Sequence, residues 1–200
     1  MILAFQASSI DGAAYRDVVD AAQHVPSWLN DVISVWSDYG LAVFPVLMIV
    51  GWWQARRVGA GAAVTALAVP VVVLIAYGID SLLKLAVHEN RPCQSLHVTT
   101  LETCPAAGDW SFPSNHATIA AAAAVALFFV SRRLGAVAAV AALAMAASRV
   151  WVGVHYPHDV VAGILVGALV ALGASALSKR WPEALARRIT ATRLRPLLLS

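Results

Sequence analysis

Charge is what this 200-residue chain has least of: Asp, Glu, Lys and Arg make up 12% of it, while 60% is hydrophobic. A soluble domain carries about 25% charged residues, so the shortage excludes a water-soluble globular protein and leaves an integral membrane protein. The mean hydropathy of +0.74 says the same. Low-complexity tracts are missing, and so is any internal repeat of regular period. The length then suits one compact domain of several helices. The opening apolar run, Met1–Phe5, is too short for a signal peptide. Cysteine is almost missing as well, with Cys93 and Cys104 the only two.

What is present is a series of apolar runs. A helix crossing a bilayer needs about 20 mainly apolar residues, and five segments qualify: Ser34–Trp53, Gly59–Leu83, Ala117–Val130, Leu134–Trp151 and Val160–Leu177. The expected fold is all-α, a polytopic membrane helix bundle of about five spans. The third run is short and must borrow residues from its polar start. Pro70, inside the second, is a candidate kink. Alanines between 117 and 147 let helices approach closely. Residues 11–31 mix Asp11, Arg16, Asp17, Asp20 and Asp31 with apolar residues. They read as an interfacial amphipathic helix or surface lead-in. The expected organisation is an N-terminal segment over 1–33, a transmembrane domain over 34–178 and a basic tail over 179–200.

Alternating five spans puts Arg56, Arg57, Arg132, Arg133, Lys179, Arg180, Arg187, Arg188, Arg193 and Arg195 on one side, ten of the 14 Lys and Arg residues. The positive-inside rule makes that side cytoplasmic. The tail arginines are then placed to meet an anionic inner leaflet or simply to be solvated. The N-terminus and the loop over residues 88–113 face outward, where disulfides are permitted. A Cys93–Cys104 bridge is therefore expected to close that loop and stiffen the part carrying Arg91.

Three polar clusters interrupt the apolar background: Lys84 with Arg91-Pro92, then Pro113-Ser114-Asn115-His116, then Ser148-Arg149 followed by His155 and Asp159. Charged groups at the edges of hydrophobic runs are costly, so function is the economical explanation. Arg91 and Arg149 can each offer a planar fork to two phosphate oxygens, and Lys84 adds a point charge. Ser114 suits a helix N-cap, and the N-terminus it opens presents unpaired N–H groups to an anion. His116, one turn or less inside, can give a proton to a departing alkoxide. Pro157 fits the first turn of the last span, with His155 just ahead of it and Asp159 within it. A carboxylate there can hold one ring nitrogen of His155 and leave the other free to attack phosphorus. Singly, each has a plainer reading: a snorkelling lysine, a loop arginine, a cap, a helix-dipole partner. Together they point to phosphate chemistry. His158 is expected to point elsewhere on its helix, and His24, His88 and His97 to lie on the surface.

Lys84-x6-Arg91-Pro92, Pro113-Ser114-x-His116 and Ser148-Arg149-x5-His155-x3-Asp159 resemble the three-part signature of the type 2 phosphatidic acid phosphatase family. Lipid phosphate phosphatases and soluble vanadium haloperoxidases share that signature. The resemblance covers Lys84 to Asp159 in order, spacing and loop placement. It implies a bundle of commonly six transmembrane helices with the site near the outer membrane surface. It further implies that His155 becomes a phosphohistidine, Asp159 holds and charges it, and His116 protonates the leaving group. Lys84, Arg91, Ser114 and Arg149 would bind phosphate, helped by backbone N–H groups at Asn115 and His116. No metal and no other cofactor is implied. Asn115 departs from the family's usual glycine. Its amide can reach a second phosphate, which favours a polyprenyl diphosphate.

The expected function is an outward-facing lipid phosphatase of a bacterial cytoplasmic membrane, with an undecaprenyl- or decaprenyl-type diphosphate as first substrate. Phosphatidic acid, phosphatidylglycerol phosphate and a polyprenyl-phosphoryl sugar phosphate are alternatives. So are a phosphotransferase and a carrier that binds lipid phosphate without chemistry. A metal site from His116, His155, His158 and Asp159 would be opposed by the three neighbouring cations. The expected partners are the bilayer and its lipid phosphates, with no nucleic acid.

Overall fold

The structure, a computed structural model, describes residues 8–178, 182–192 and 195–199. Helix α1 (Ser8–Gln23) is followed by α2 (Ser27–Tyr39), a 3-10 turn (Gly40–Ala42) and α3 (Val43–Val58). Then come α4 (Ala60–Val87), the short α5 (Pro92–Leu96), α6 (Asn115–Val130), α7 (Arg132–Trp151), α8 (Pro157–Ser178) and α9 (Pro182–Thr190). Four helical segments are long and apolar enough to cross a membrane: Ser27–Val58, Ala60–Leu96, Arg132–Trp151 and Pro157–Leu177. The fifth expected span is the shorter apolar helix Asn115–Val130. The fold is thus the all-α membrane bundle that the composition predicts.

The differences lie at the helix ends, and polar side chains explain them. The first crossing segment begins at Ser27, seven residues before the expected Ser34. Its early polar residue Asn30 is satisfied from both sides: the side chain donates to Ala22 O (2.8 Å) and accepts from Trp151 Nε1 (2.9 Å). The amphipathic helix is accordingly confined to α1. Residues 15, 19 and 22 fall on one of its faces and are buried there, and Tyr15 and Val19 cluster with Tyr156, Val150 and Val160 among others. Helix α4 continues to Val87, so Lys84 sits in its last turn rather than beyond it. The helix also runs without interruption past Pro70, where a kink was a candidate.

Helix α6 is the centre of the bundle. Its alanines at 117, 120–124 and 126 are buried, and it packs on α4, α7 and α8. The α6–α8 contact is close because α8 offers glycine where it meets α6. A Cβ on Gly163 would stand 2.5 Å from Ser114 O, and one on Gly167 2.3 Å from Thr118 O. Two small residues four apart are the usual way for membrane helices to bring backbones together. Thr118 Oγ1 stands at the same seam, donating to Asp80 Oδ1 of α4 (2.6 Å) and lying 3.1 Å from Gly163 O. The seam brings the start of α6 beside the start of α8.

Each crossing segment reverses the last, so Ser27, Lys84, Asn115, Trp151 and Pro157 share one end of the bundle. Arg56, Arg57, Arg132 and Arg133 share the other. The C-terminal residues pack at this basic end: Ala186 and Leu198 join Ala63 and Val64, and Arg56 Nη2 donates to Leu199 O (2.9 Å). Lys179, Arg180 and Arg193 lie outside the described residues.

The α6–α8 seam makes a prediction. Gly163→Val should overpack it, lower stability by about 1–3 kcal/mol and lower the melting temperature. Gly78→Ala, at a position with no described atom within 4 Å of the added carbon, should not. Thermal melting in detergent checks both variants.

Candidate active site

The site sits where the ends of α4, α6, α7 and α8 meet the loop over residues 88–113. That loop is closed on itself by a disulfide between Cys93 and Cys104, whose Cα atoms are 6.0 Å apart. Asp159, fully buried in the first turn of α8, is its hub. Oδ2 of Asp159 accepts from Tyr156 N (2.8 Å) and from Ser111 Oγ (2.5 Å), and lies 3.3 Å from His155 Nδ1. The main chain adds a further tie, as Asp159 O accepts from Ser114 N (3.0 Å).

On the other side of the imidazole, Arg91 Nη1 lies 3.2 Å from His155 Nε2. A guanidinium has only donors, so Nε2 is the acceptor and the ring proton belongs on Nδ1, towards Asp159. This is the tautomer in which Nε2 keeps its lone pair. His155 is buried, and burial drives its pKa down to about 4. The Asp159 carboxylate opposes that shift, while Arg91 and Lys84 add to it. Near neutral pH the ring is therefore uncharged and nucleophilic.

The remaining residues of the three clusters gather around this pair. Lys84 Nζ donates to Trp110 O (2.6 Å) and Ser111 O (3.1 Å), so α4 and the loop are joined beside Asp159. Arg149, in the last turn of α7, is buried. Its Nη1 donates to Ser37 Oγ and to the Glu102 carboxylate (3.1 and 3.3 Å). His116 occupies the first turn of α6, within electrostatic reach of Arg149, His155, Arg91 and Lys84.

Ser114 holds the N-cap position of α6, yet its side chain makes no capping bond. Its Oγ is buried without a partner among the described residues, as are Asn115 Oδ1 and Arg149 Nε. A buried polar group left unpaired costs about 1–3 kcal/mol. A hydroxyl in that condition at the N-terminus of α6, and a guanidinium N–H in the same condition in the last turn of α7, have the chemistry of a site awaiting anionic oxygens.

Several residues of the site carry no sequence signal. Ser111 bonds Asp159 and faces His155 Nδ1 at 3.3 Å, but a lone serine before Phe-Pro has no periodicity or spacing to mark it. Glu102 and Asp109 are loop acids paired with Arg149 and Arg91. His158 corrects an expectation, because it points into the site's surroundings rather than away. Its main-chain N and its Nδ1 are 2.7 and 2.8 Å from the Asp11 carboxylate oxygens, and its Nε2 is 3.1 Å from Glu89 Oε1. Asp11, 147 residues away, pulls it there. His88, His97 and His24 are exposed, as expected. Among the described residues, Glu89, His158 and Asp159 bring ligand-type atoms within 4.8 Å of one another. The hydrogen bonds above already give each of the three a partner.

Residues 65–183 match the PAP2 superfamily. The chain is 30% identical over 156 residues to undecaprenyl-diphosphatase BcrC of Bacillus subtilis, covering 76% of each protein. It is 32% identical over 148 residues to an undecaprenyl-diphosphatase of Sulfolobus acidocaldarius, covering 71% of this chain and 67% of that one. A decaprenylphosphoryl-5-phosphoribose phosphatase of Mycobacterium tuberculosis is 37% identical over 97 residues, 48% of this chain and 51% of that protein. The fold resembles the crystal structure of a transmembrane PAP2-type phosphatidylglycerolphosphate phosphatase from Bacillus subtilis. That likeness has a TM-score of 0.61 at 21% identity and covers 85% of this chain and 88% of that one. The helices, the three-part signature and these relatives agree: the chain belongs to the PAP2 superfamily.

Proposed function

We propose that this membrane protein is a lipid phosphatase that removes the terminal phosphate of a polyprenyl diphosphate through a phosphohistidine. The observation that carries the reading is His155 held between Asp159 on Nδ1 and a guanidinium on Nε2, with buried groups on Ser114 and Arg149 that have no partner among the described residues. The undecaprenyl-diphosphatase relatives support the substrate class. Asn115, the first residue of α6, is the residue assigned to the second phosphate, through the N–H donors of its side-chain amide.

The reaction follows from the tautomer. His155 Nε2 attacks the terminal phosphorus, and the bond from phosphorus to the bridging oxygen breaks. His116 gives its proton to the departing lipid phosphate. Positive charge develops on the imidazole and is met by Asp159, whose orientation Ser111 and Tyr156 N maintain. Lys84, Arg91, Arg149, Ser114 Oγ and the first N–H groups of α6 hold the non-bridging oxygens. Such preorganised donors supply most of the stabilisation in phosphoryl transfer. In the second half, water attacks the phosphohistidine, His116 takes the water's proton, the N–P bond breaks and orthophosphate leaves.

The protein sits in the bacterial cytoplasmic membrane with this site facing outward, on the strength of the arginines at the opposite end of the bundle. The catalytic domain runs over residues 27–178, starting at Ser27 rather than residue 34 because the first crossing segment does, with α1 ahead of it and a basic cytoplasmic tail after it.

His155→Ala should abolish phosphate release. His116→Ala should lower it by about 10²–10⁴-fold on a monoester such as phosphatidic acid, whose leaving group is an alkoxide. It should lower it much less on a prenyl diphosphate, whose leaving group is a phosphate. Steady-state assays on both substrates decide this, and substantial activity in His155→Ala would exclude the phosphohistidine. The His155 ring should titrate near pH 4, followed by NMR of nitrogen-labelled histidine in micelles. Asp159→Asn should move that midpoint lower, since the carboxylate raises it. A midpoint near 6.5 would place His155 in contact with water. For sidedness, Ala107→Cys should react with an impermeant thiol reagent in intact cells and Arg133→Cys should not; the reverse pattern would invert the topology.

A further inference from the structure

The resting site has its attacking nitrogen covered. Arg91 Nη1 is directed at His155 Nε2 (3.2 Å) and at Val154 O (3.0 Å). The other edge of the guanidinium belongs to Asp109: Nε donates to Asp109 O (2.9 Å) and Nη2 to Asp109 Oδ1 (3.0 Å). Of five N–H donors, one on Nε, two on Nη1 and one on Nη2 are thereby engaged. An arginine in this state cannot offer its fork to a phosphate until part of that set is released.

The two acids paired with the site's arginines are not equivalent. The Glu102 side chain, on Arg149, is 15% exposed, whereas that of Asp109 is 55% exposed. Glu102 is a fixed counter-charge for a buried cation. Asp109 stands at the water-facing rim of a loop and is able to swing away. Asp109 is also tethered, so a ligand competes with it at high effective concentration.

Resting on the assignment of Arg91 and His155 made above, we infer that Asp109 is a positioning residue that sets substrate specificity by charge. It holds Arg91 over His155 Nε2 until a ligand carrying more charge than one carboxylate takes the arginine over. A terminal phosphate carries about −1.5 to −2 near neutral pH. A phosphodiester, the linkage in ordinary membrane phospholipids, carries a single charge, as Asp109 does. A diester gains nothing by displacing an equal charge already in place, so it neither uncovers the nucleophile nor occupies the site. Discrimination of this kind comes from a competing contact against the wrong ligand rather than a better contact to the right one. The surrounding bilayer, being mostly diester, makes that competition necessary.

The test compares wild type, Asp109→Asn and Asp109→Glu, purified in detergent. Hydrolysis of a C15 prenyl diphosphate is followed with and without phosphatidylglycerol as a diester competitor. Calorimetry with orthophosphate and with dimethyl phosphate reads binding separately. In Asp109→Asn, KM for the diphosphate and kcat should each change less than about threefold, because the diphosphate already displaces the carboxylate. Inhibition by phosphatidylglycerol and affinity for dimethyl phosphate should rise about tenfold, the scale of one charge-assisted hydrogen bond, so discrimination against the diester is lost. Asp109→Glu, which keeps the charge, should restore wild-type discrimination. A raised KM in the Asn variant, or unaltered diester inhibition and dimethyl phosphate affinity, would overturn the proposal. Failure of the wild type to release phosphate would instead count against the phosphatase reading, and calorimetry would still report the effect of Asp109.

Discussion

A single buried carboxylate organises this end of the molecule. Oδ2 of Asp159 gathers Tyr156 N, Ser111 Oγ and the His155 ring, and its main-chain oxygen receives Ser114 N. Through these bonds the start of α8, the outer loop, the histidine and the start of α6 take up one arrangement. Removing an ionised carboxylate from water costs several kcal/mol, and only this density of donors makes the placement tolerable. Any displacement of one partner is therefore felt by the other three. The close seam between α6 and α8 serves that hub, since Gly163 permits the approach that puts Ser114 within reach.

Around the hub the charges are arranged in opposed pairs. Arg91 with Asp109 of the same loop, and Arg149 with Glu102 and His158 with Asp11 and Glu89 from distant parts of the chain, each bring a cation or imidazole up to an acid. The pairs keep the cations where an incoming phosphate needs them without leaving an uncompensated charge among apolar helices. They also tie α1 to the site. Asp11 caps the α8 N-terminus at His158 N, and Tyr15 OH donates to Gly153 O (2.8 Å). The first helix thus rests on the site end and does not cross.

The sequence made legible whatever repeats or stands out against an apolar background. Spans appeared as long hydrophobic runs. Lys84, Arg91, His116, Arg149, His155 and Asp159 were visible because a charge or an imidazole beside such a run is costly. The helix ends at Val130 and Trp151 fall where expected and the others differ by one to seven residues, because polar side chains such as Asn30 and Lys84 are accommodated inside helices once partners arrive from elsewhere. Ser111, Ser37, Glu102, Asp109 and the Asp11–His158 pair were hidden for the same reason. Their meaning lies in contacts that span 18 to 147 residues, and no local pattern encodes them. Thr118 and Asp80 belong to this class too, a bond inside the bundle between two residues 38 apart.

Helix α6 has 16 residues and α7 has 20, and the single residue Ser131 joins them at the basic end. Helix α6 therefore stops about 6 Å short of the far end of α7, at 1.5 Å per residue. Apart from Phe128 and Phe129 near its basic end, α6 is largely covered by its neighbours, so the lipid meets little of this short helix and the bilayer need not thin to match it. At the site end the shortfall coincides with the outer loop, whose Ser111, Pro113 and Ser114 are buried, so the polar main chain there is met by protein rather than by hydrocarbon.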